Sequence, residues 1–255
     1  MPTWLRYFFD LVLVLTAKEI KVRYKSSILG YIWSIALPLS FACAFYIAFK
    51  VVMRVKMDNY ALFLICGLFP WQWFSNSINA APMILLGNSS IIKKVRFPRA
   101  AVCMAMVLND GVHFLLSVPV IALFLYGHGM TPAWSWLYGL PLLFLIQFGF
   151  TYGLVLIIAA VNLFFRDMER LIAVCMTLLF YFTPIIYAED MIPQQYQYLI
   201  ALNPLAPLMV AWRTLFLQGT LPLNYVLSSL VWSVALTVAG GWIFRRLSPR
   251  FAEVL

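Results

Sequence analysis

Charge is what this chain has least of: of 255 residues only 11% are Asp, Glu, Lys or Arg, while 64% are hydrophobic. A soluble globule of this size has no interior large enough for that apolar excess, so the composition leaves an integral membrane protein. Acidic residues are scarcer still, nine against eighteen Lys and Arg, for a net charge of +9. The cations stand in short clusters between apolar runs, which suits anionic lipid headgroups and sets nucleic acid aside. Cys43, Cys66, Cys103 and Cys175 lie singly within apolar stretches, a spacing that argues against a disulfide framework, a zinc site or a redox pair. There is no internal repeat. The opening MPTWLRYFFD has no basic region ahead of its first apolar run and no small-residue cleavage site, so no removable signal peptide is expected. A G-x-x-x-x-G-K-[ST] phosphate loop is also missing, so nucleotide chemistry would need another polypeptide.

What is present is a series of long uncharged runs. A bilayer core takes about 20 apolar residues per helix, and six runs of that order occur: 28–49, 61–86, 102–126, 134–164, 171–187 and 225–244. The fourth is long enough to tilt, and the fifth is short. Six crossings gather Arg6, Lys18, Lys21, Arg23, Lys25, Lys93, Lys94, Arg96, Arg99, Arg166, Arg170, Arg245, Arg246 and Arg250 on one side. They leave Arg54, Lys56 and Arg213 on the other, with Lys50 at a span end. Fourteen against three places both termini in the cytoplasm.

Four stretches have the residue types that could carry function. In SSIIKKVRFPRA, Ser89 or Ser90 can cap a short helix with Ile91, Ile92 and Val95 on one face and Lys93, Lys94 and Arg96 around the other, ended by Pro98. A cap, an apolar face and a stop favour a docking element over a plain topogenic loop. In NLFFRDMERLI, Arg166 and Arg170 at i,i+4, with Asp167 beside them, can meet a common acidic surface. In LNDGVHF, Asp110 and His113 sit one turn apart within the third span, two turns after Cys103. No third strong ligand is evident and the chain has two histidines, so an interhelical hydrogen-bond cluster with Asn109 is preferred to a metal or hydrolytic site. The second span carries Trp71, Gln72, Trp73, Ser75, Asn76, Ser77 and Asn79, a polar and aromatic stripe poorly placed against lipid but suited to a sugar ring. Two further features frame these. LVLVLTAKEIKVRYK puts Leu13, Ala17, Ile20 and Tyr24 on one stripe and Lys18, Lys21 and Lys25 on another, as in a helix lying in the headgroup region. Between 188 and 222 Pro193, Pro204, Pro207 and Pro222 cut an apolar segment into pieces too short to cross twice, which suggests two short helices in a re-entrant outer hairpin.

Taken in order, RYKSSILGYIWSIALPL, NSSIIKKVRFPRA, NLFFRDMERLI, YFTPIIYAEDMIP and LNPLAPLMVAWRTLFLQG resemble the permease subunit of polysaccharide ABC exporters of the O-antigen and teichoic-acid type. The resemblance spans nearly the whole chain; Ala36-Leu37-Pro38 departs from it, where relatives often carry Asn before the proline. It implies a homodimer in the bacterial inner membrane, working with two copies of a cytoplasmic ATPase that bind the ATP and Mg, and export of a glycan on undecaprenyl pyrophosphate. It maps Ile91 to Arg99, with Phe97, onto a coupling helix, Phe165 to Arg170 onto a second ATPase contact, Lys18 to Lys25 onto an interface helix, and Asp190 to Gln218 onto outer gate helices that include Arg213.

The expected architecture is therefore an all-α, polytopic, single transmembrane domain. Residues 1–27 form the interface helix, 28–187 spans one to five with the coupling helix at 89–99, 188–222 the hairpin, 223–246 span six and 247–255 the tail. The chain would carry no cofactor and no catalytic site. Its substrate path would involve Trp33, Trp71, Trp73, Asn76 and Tyr181, with Arg23, Lys25, Arg96 and Arg99 receiving the pyrophosphate. Two other classes are weighed: a proton-coupled flippase using Asp110, opposed by the scarcity of buried carboxylates, and an intramembrane enzyme using Asp110 and His113. Teichoic-acid and capsular cargo are not separated from O-antigen.

Overall fold

The computed structural model describes residues 3–24, 32–54, 57, 59–95, 97–196, 198 and 202–251, and every regular element among them is helical. Nine α-helices among the described residues follow in order: α1 (Thr3–Tyr24), α2 (Ile32–Phe45), α3 (Tyr60–Gly87), α4 (Ser89–Lys94), α5 (Ala100–Gly127), α6 (Trp136–Asn162), α7 (Met168–Phe182), α8 (Ala206–Gln218) and α9 (Leu223–Leu247). A π-helical turn, Tyr46–Val52, carries α2 past Lys50. Among the described residues, four segments are long and apolar enough to cross a membrane: Ile35–Val52, Ala100–Gly127, Trp136–Asn162 and Leu223–Arg250. The 28-residue α3 falls outside this set because its polar stripe lowers its hydropathy. At 15 residues, roughly 22 Å, α7 is too short, and it ends five residues before the run that foreshadowed it because Thr183 turns extended ahead of Pro184.

The centre of the bundle is α3, which packs on α5, α6 and α8, while α6 and α9 form the most extensively packed pair. Glycine explains that pair: a Cβ at Gly240 would overlap the Gly153 carbonyl, and one at Gly153 would overlap the Leu236 backbone. Backbones so close let Thr237 Oγ1 donate to Gly149 O at 2.8 Å. The prolines inside α3 are braced from α6, where the buried amides of Gln147 and Asn162 donate to the carbonyls of Pro70 (2.8 Å) and Pro82 (2.7 Å). Trp212 of α8 in turn donates its indole N–H to Gln147 Oε1 at 2.6 Å.

α1 packs on α5 through Phe8, Leu11, Val12, Leu15 and Thr16, and Leu13 and Ala17 are exposed. Several expectations are corrected. No serine caps α4: Asn88 occupies the N-cap position without a capping bond, and its amide donates to Ile84 O while its oxygen accepts from Lys18. Of its supposed apolar face only Ile92 is buried; Ile91 is half-buried, and Val95 is exposed. Arg166 precedes the first residue of α7, so it does not share a helix face with Arg170. Among the described residues, the first half of the expected hairpin contains two single 3-10 turns, Glu189–Met191 and Gln194–Tyr196, on either side of Pro193. Its second half is α8, in whose first turn Pro207 sits because a helix start needs no proline N–H.

Candidate functional site

Between α2, α3 and α7 lies an open groove of about 520 Å³. From α3 come Trp71, Gln72, Ser75, Asn76 and Asn79, positions that share one side of a 3.6-residue helix. Phe41 and Phe45 of α2 and Thr177, Phe180 and Tyr181 of α7 face them. Gln72 Nε2 donates to Asn76 Oδ1 at 2.7 Å, and Asn79 Nδ2 to Ser75 Oγ at 3.2 Å. The groove thus holds a row of amides and hydroxyls against aromatic walls, with the Trp71 and Phe180 rings 5.4 Å apart. None of the described side chains that line it is charged.

The stripe read from the sequence therefore divides. Trp71, Asn76 and Tyr181 come together in the groove, while Trp73, only 2% exposed, is a core residue stacked between Phe144 (4.6 Å) and Phe114 (5.4 Å), its N–H donated to Val107 O. Trp33 is exposed on α2 and does not line the groove. Ser77, on the Trp73 side, donates to Asp110 Oδ2 at 2.8 Å. Asp110 and His113 are buried away from the groove, and Asn109 is buried beside them in sequence. Among the described residues no three His, Cys, Asp or Glu gather as a metal site.

At one end of the bundle, Lys93, Lys94, Phe97, Arg99 and Arg245 line a second open cavity of about 750 Å³, with no carboxylate among the described residues of its walls. Ile92 of α4 lines it as well, while Ile91, one residue earlier on α4, is not among its lining residues. Arg166, Asp167 and Arg170 are exposed at the α6–α7 connection. Arg23 lies in α1, while Lys25 and Arg96 fall outside the described residues.

On the far side of the groove, Arg213 of α8 is buried and donates from Nη2 to Ile185 O at 2.8 Å, with its guanidinium 3.7 Å from the Phe63 ring centroid. Gly67 leaves it room, since a Cβ there would lie 2.8 Å from Nη2. Tyr60 OH donates to Ile186 O at 2.7 Å, and Asn203 Nδ2 donates to Thr183 Oγ1 at 2.9 Å. The segment after α7 is thus pinned to α3 and α8. Pro193 is exposed and Pro204 half-buried, so the prolines mark boundaries while the pinning comes from Tyr60, Asn203 and Arg213. Sequence reading missed Gln147 and Trp212; a lone buried amide in the apolar middle of α6 was the available signal.

These features define a polytopic helical membrane protein of the transport type, with a polar groove at helix depth and a basic end. The chain belongs to the ABC-2 type transporter family, whose model matches residues 10–217. It is 49% and 48% identical to two Klebsiella pneumoniae proteins, each named O-antigen export system permease protein RfbA, over 98% of this chain and 97% of theirs. A Myxococcus xanthus protein of the same name is 32% identical over 95% of this chain and 94% of its own.

Proposed function

We propose that the chain is the membrane-spanning subunit of an ATP-driven exporter that moves an undecaprenyl-pyrophosphate-linked polysaccharide, with O-antigen as cargo, outward across the bacterial inner membrane. The observation that carries this reading is the groove. A sugar ring has an apolar face and a rim of hydroxyls, and Trp71, Phe180 and Tyr181 offer flat apolar walls beside the amides of Gln72, Asn76 and Asn79. The full-length likeness to O-antigen permeases supports the cargo.

In this reading α2, α3, α5, α6, α7 and α9 are six crossings of one transmembrane domain, α1 is the interface helix, and α8 with the turns before it forms the outer gate hairpin. Both termini and α4 face the cytoplasm. The basic end docks two copies of a separate ATPase, which bind ATP and Mg, through Ile91, Lys93, Lys94, Arg96, Phe97 and Arg99 and through Arg166, Asp167 and Arg170. Two copies of the chain set their grooves, with Trp33, around one path. Arg23, Lys25, Arg96 and Arg99 receive the pyrophosphate as charge-assisted partners, and Pro193, Pro204, Pro207 and Arg213 belong to the gate.

The test is made on the complex reconstituted with its ATPase. The triple substitution K93E/K94E/R96E abolishes stimulation of hydrolysis while the chain still inserts; wild-type stimulation would remove the docking surface. In the same system N76A with Q72A lowers polysaccharide delivered per ATP while hydrolysis continues, and undiminished delivery would remove the groove as the path.

A further inference from the structure

Phe251, the last described residue, is fully buried. Its ring packs edge-on against Phe244 of α9 at 5.1 Å and lies 6.4 Å from the ring of Phe164, two residues before Arg166. The guanidinium of Arg99, just after α4, stands over the same ring at 5.7 Å and donates from Nη1 to the Ser248 carbonyl. A 3-10 turn, Ser248–Arg250, folds the chain back to deliver the ring. One side chain therefore touches the ends of three elements: the α4–α5 connection, the end of α6 and the end of α9.

We propose that Phe251 is a positioning residue that ties the two ATPase contacts, at α4 and at the α6–α7 connection, into one rigid block mounted on the α6–α9 pair. Without the tie, a push on α4 would reach α6 and α9 only indirectly, through α3, to which Asn88 bonds. With it, the same push reaches α6 and α9, whose glycine-mediated contact leaves no room for sliding. The tie rests on the docking reading above and goes beyond it, because no contact of Phe251 with the ATPase is required.

Two measurements test it. In reconstituted complexes, F251A leaves the ATPase bound but lowers polysaccharide delivered per ATP by about two- to thirtyfold, the range of coupling effects from residues that touch neither ligand, and F251L regains most of it. In the membrane chain alone, with exposed Cys43 and Cys175 replaced by serine, spin labels at S90C and E169C give a narrow distance distribution that F251A broadens. A wild-type delivery ratio, or an unbroadened distribution, overturns the tie. If F251A does not fold, F251V is read by both measurements under the same criteria. Wild-type stimulation in K93E/K94E/R96E would defeat docking only, since the spin-label distance reports the tie without the ATPase.

Discussion

Trp71 and Trp73 stand two positions apart on α3 and face different surroundings, one lining the groove and the other the core. Trp73 is sandwiched by Phe114 and Phe144, and Gly111 makes the space, since a Cβ there would touch both the Trp73 and Phe144 rings at 3.0 Å. Emptying that site with W73A costs about 3–5 kcal/mol, the usual price of a large aromatic truncation, measured as early unfolding in detergent. Asn76 is exposed in the groove, so N76A shifts stability by only about 0.5 kcal/mol while lowering transport. Arg213 supports a third expectation. Lysine has neither the planar face for Phe63 nor the forked donors for Ile185, so R213K lowers unfolding stability by about 1–3 kcal/mol. G67A drives a methyl into the same guanidinium, and because both changes break one contact, the double variant costs clearly less than the sum. Sequence showed which residue types were present but not which way each faced. A stripe of seven polar and aromatic residues looked single, yet helical phase assigns Trp71, Gln72, Ser75, Asn76 and Asn79 to the groove and Trp73 and Ser77 to α5.

At the scale of elements, the α6–α9 pair gives the sharpest expectation. G153A and G240A push apart backbones already in contact, and overpacking of this kind costs about 1–3 kcal/mol. Gly241, one residue on, has nothing within 4 Å of a built Cβ, so G241A is neutral or stabilising by up to about 1 kcal/mol because alanine is the better helix former. Thermal unfolding of the three variants in one detergent checks the order, and an equally destabilised G241A would point to a helix-wide effect instead of the crossing. This contact was not legible beforehand: glycines on separate apolar runs carry no sign of which pairs meet. The runs themselves were legible, because apolar length is a one-dimensional property. Boundaries for α3, α5, α6 and α9 fall within three residues of those expected. The α7 end and the hairpin were less so, since Pro184, Pro193 and Pro207 act through local backbone shape, which apolar run length does not encode.

For the whole molecule, the decisive quantity is which face of the bilayer each loop meets, and α3 makes it measurable. Its 28 residues span roughly 42 Å, more than a hydrocarbon core of about 30 Å, so if α3 stands across the membrane its two ends lie on opposite faces. Arg54, just before it with φ at 54°, then belongs to the face opposite α4. The charge count agrees, because Lys93, Lys94 and Arg99 join the cation-rich side while Arg54 joins the poor one. The experiment labels R54C and S90C with a membrane-impermeant maleimide, in the background with Cys43 and Cys175 replaced by serine. In spheroplasts R54C reacts and S90C does not; in inside-out vesicles the pattern reverses. Labelling of both positions from one side would mean that α3 lies within or beside the bilayer without crossing it, which would leave the groove without two faces to connect, and labelling of both from outside alone would also turn α4 away from any cytoplasmic ATPase.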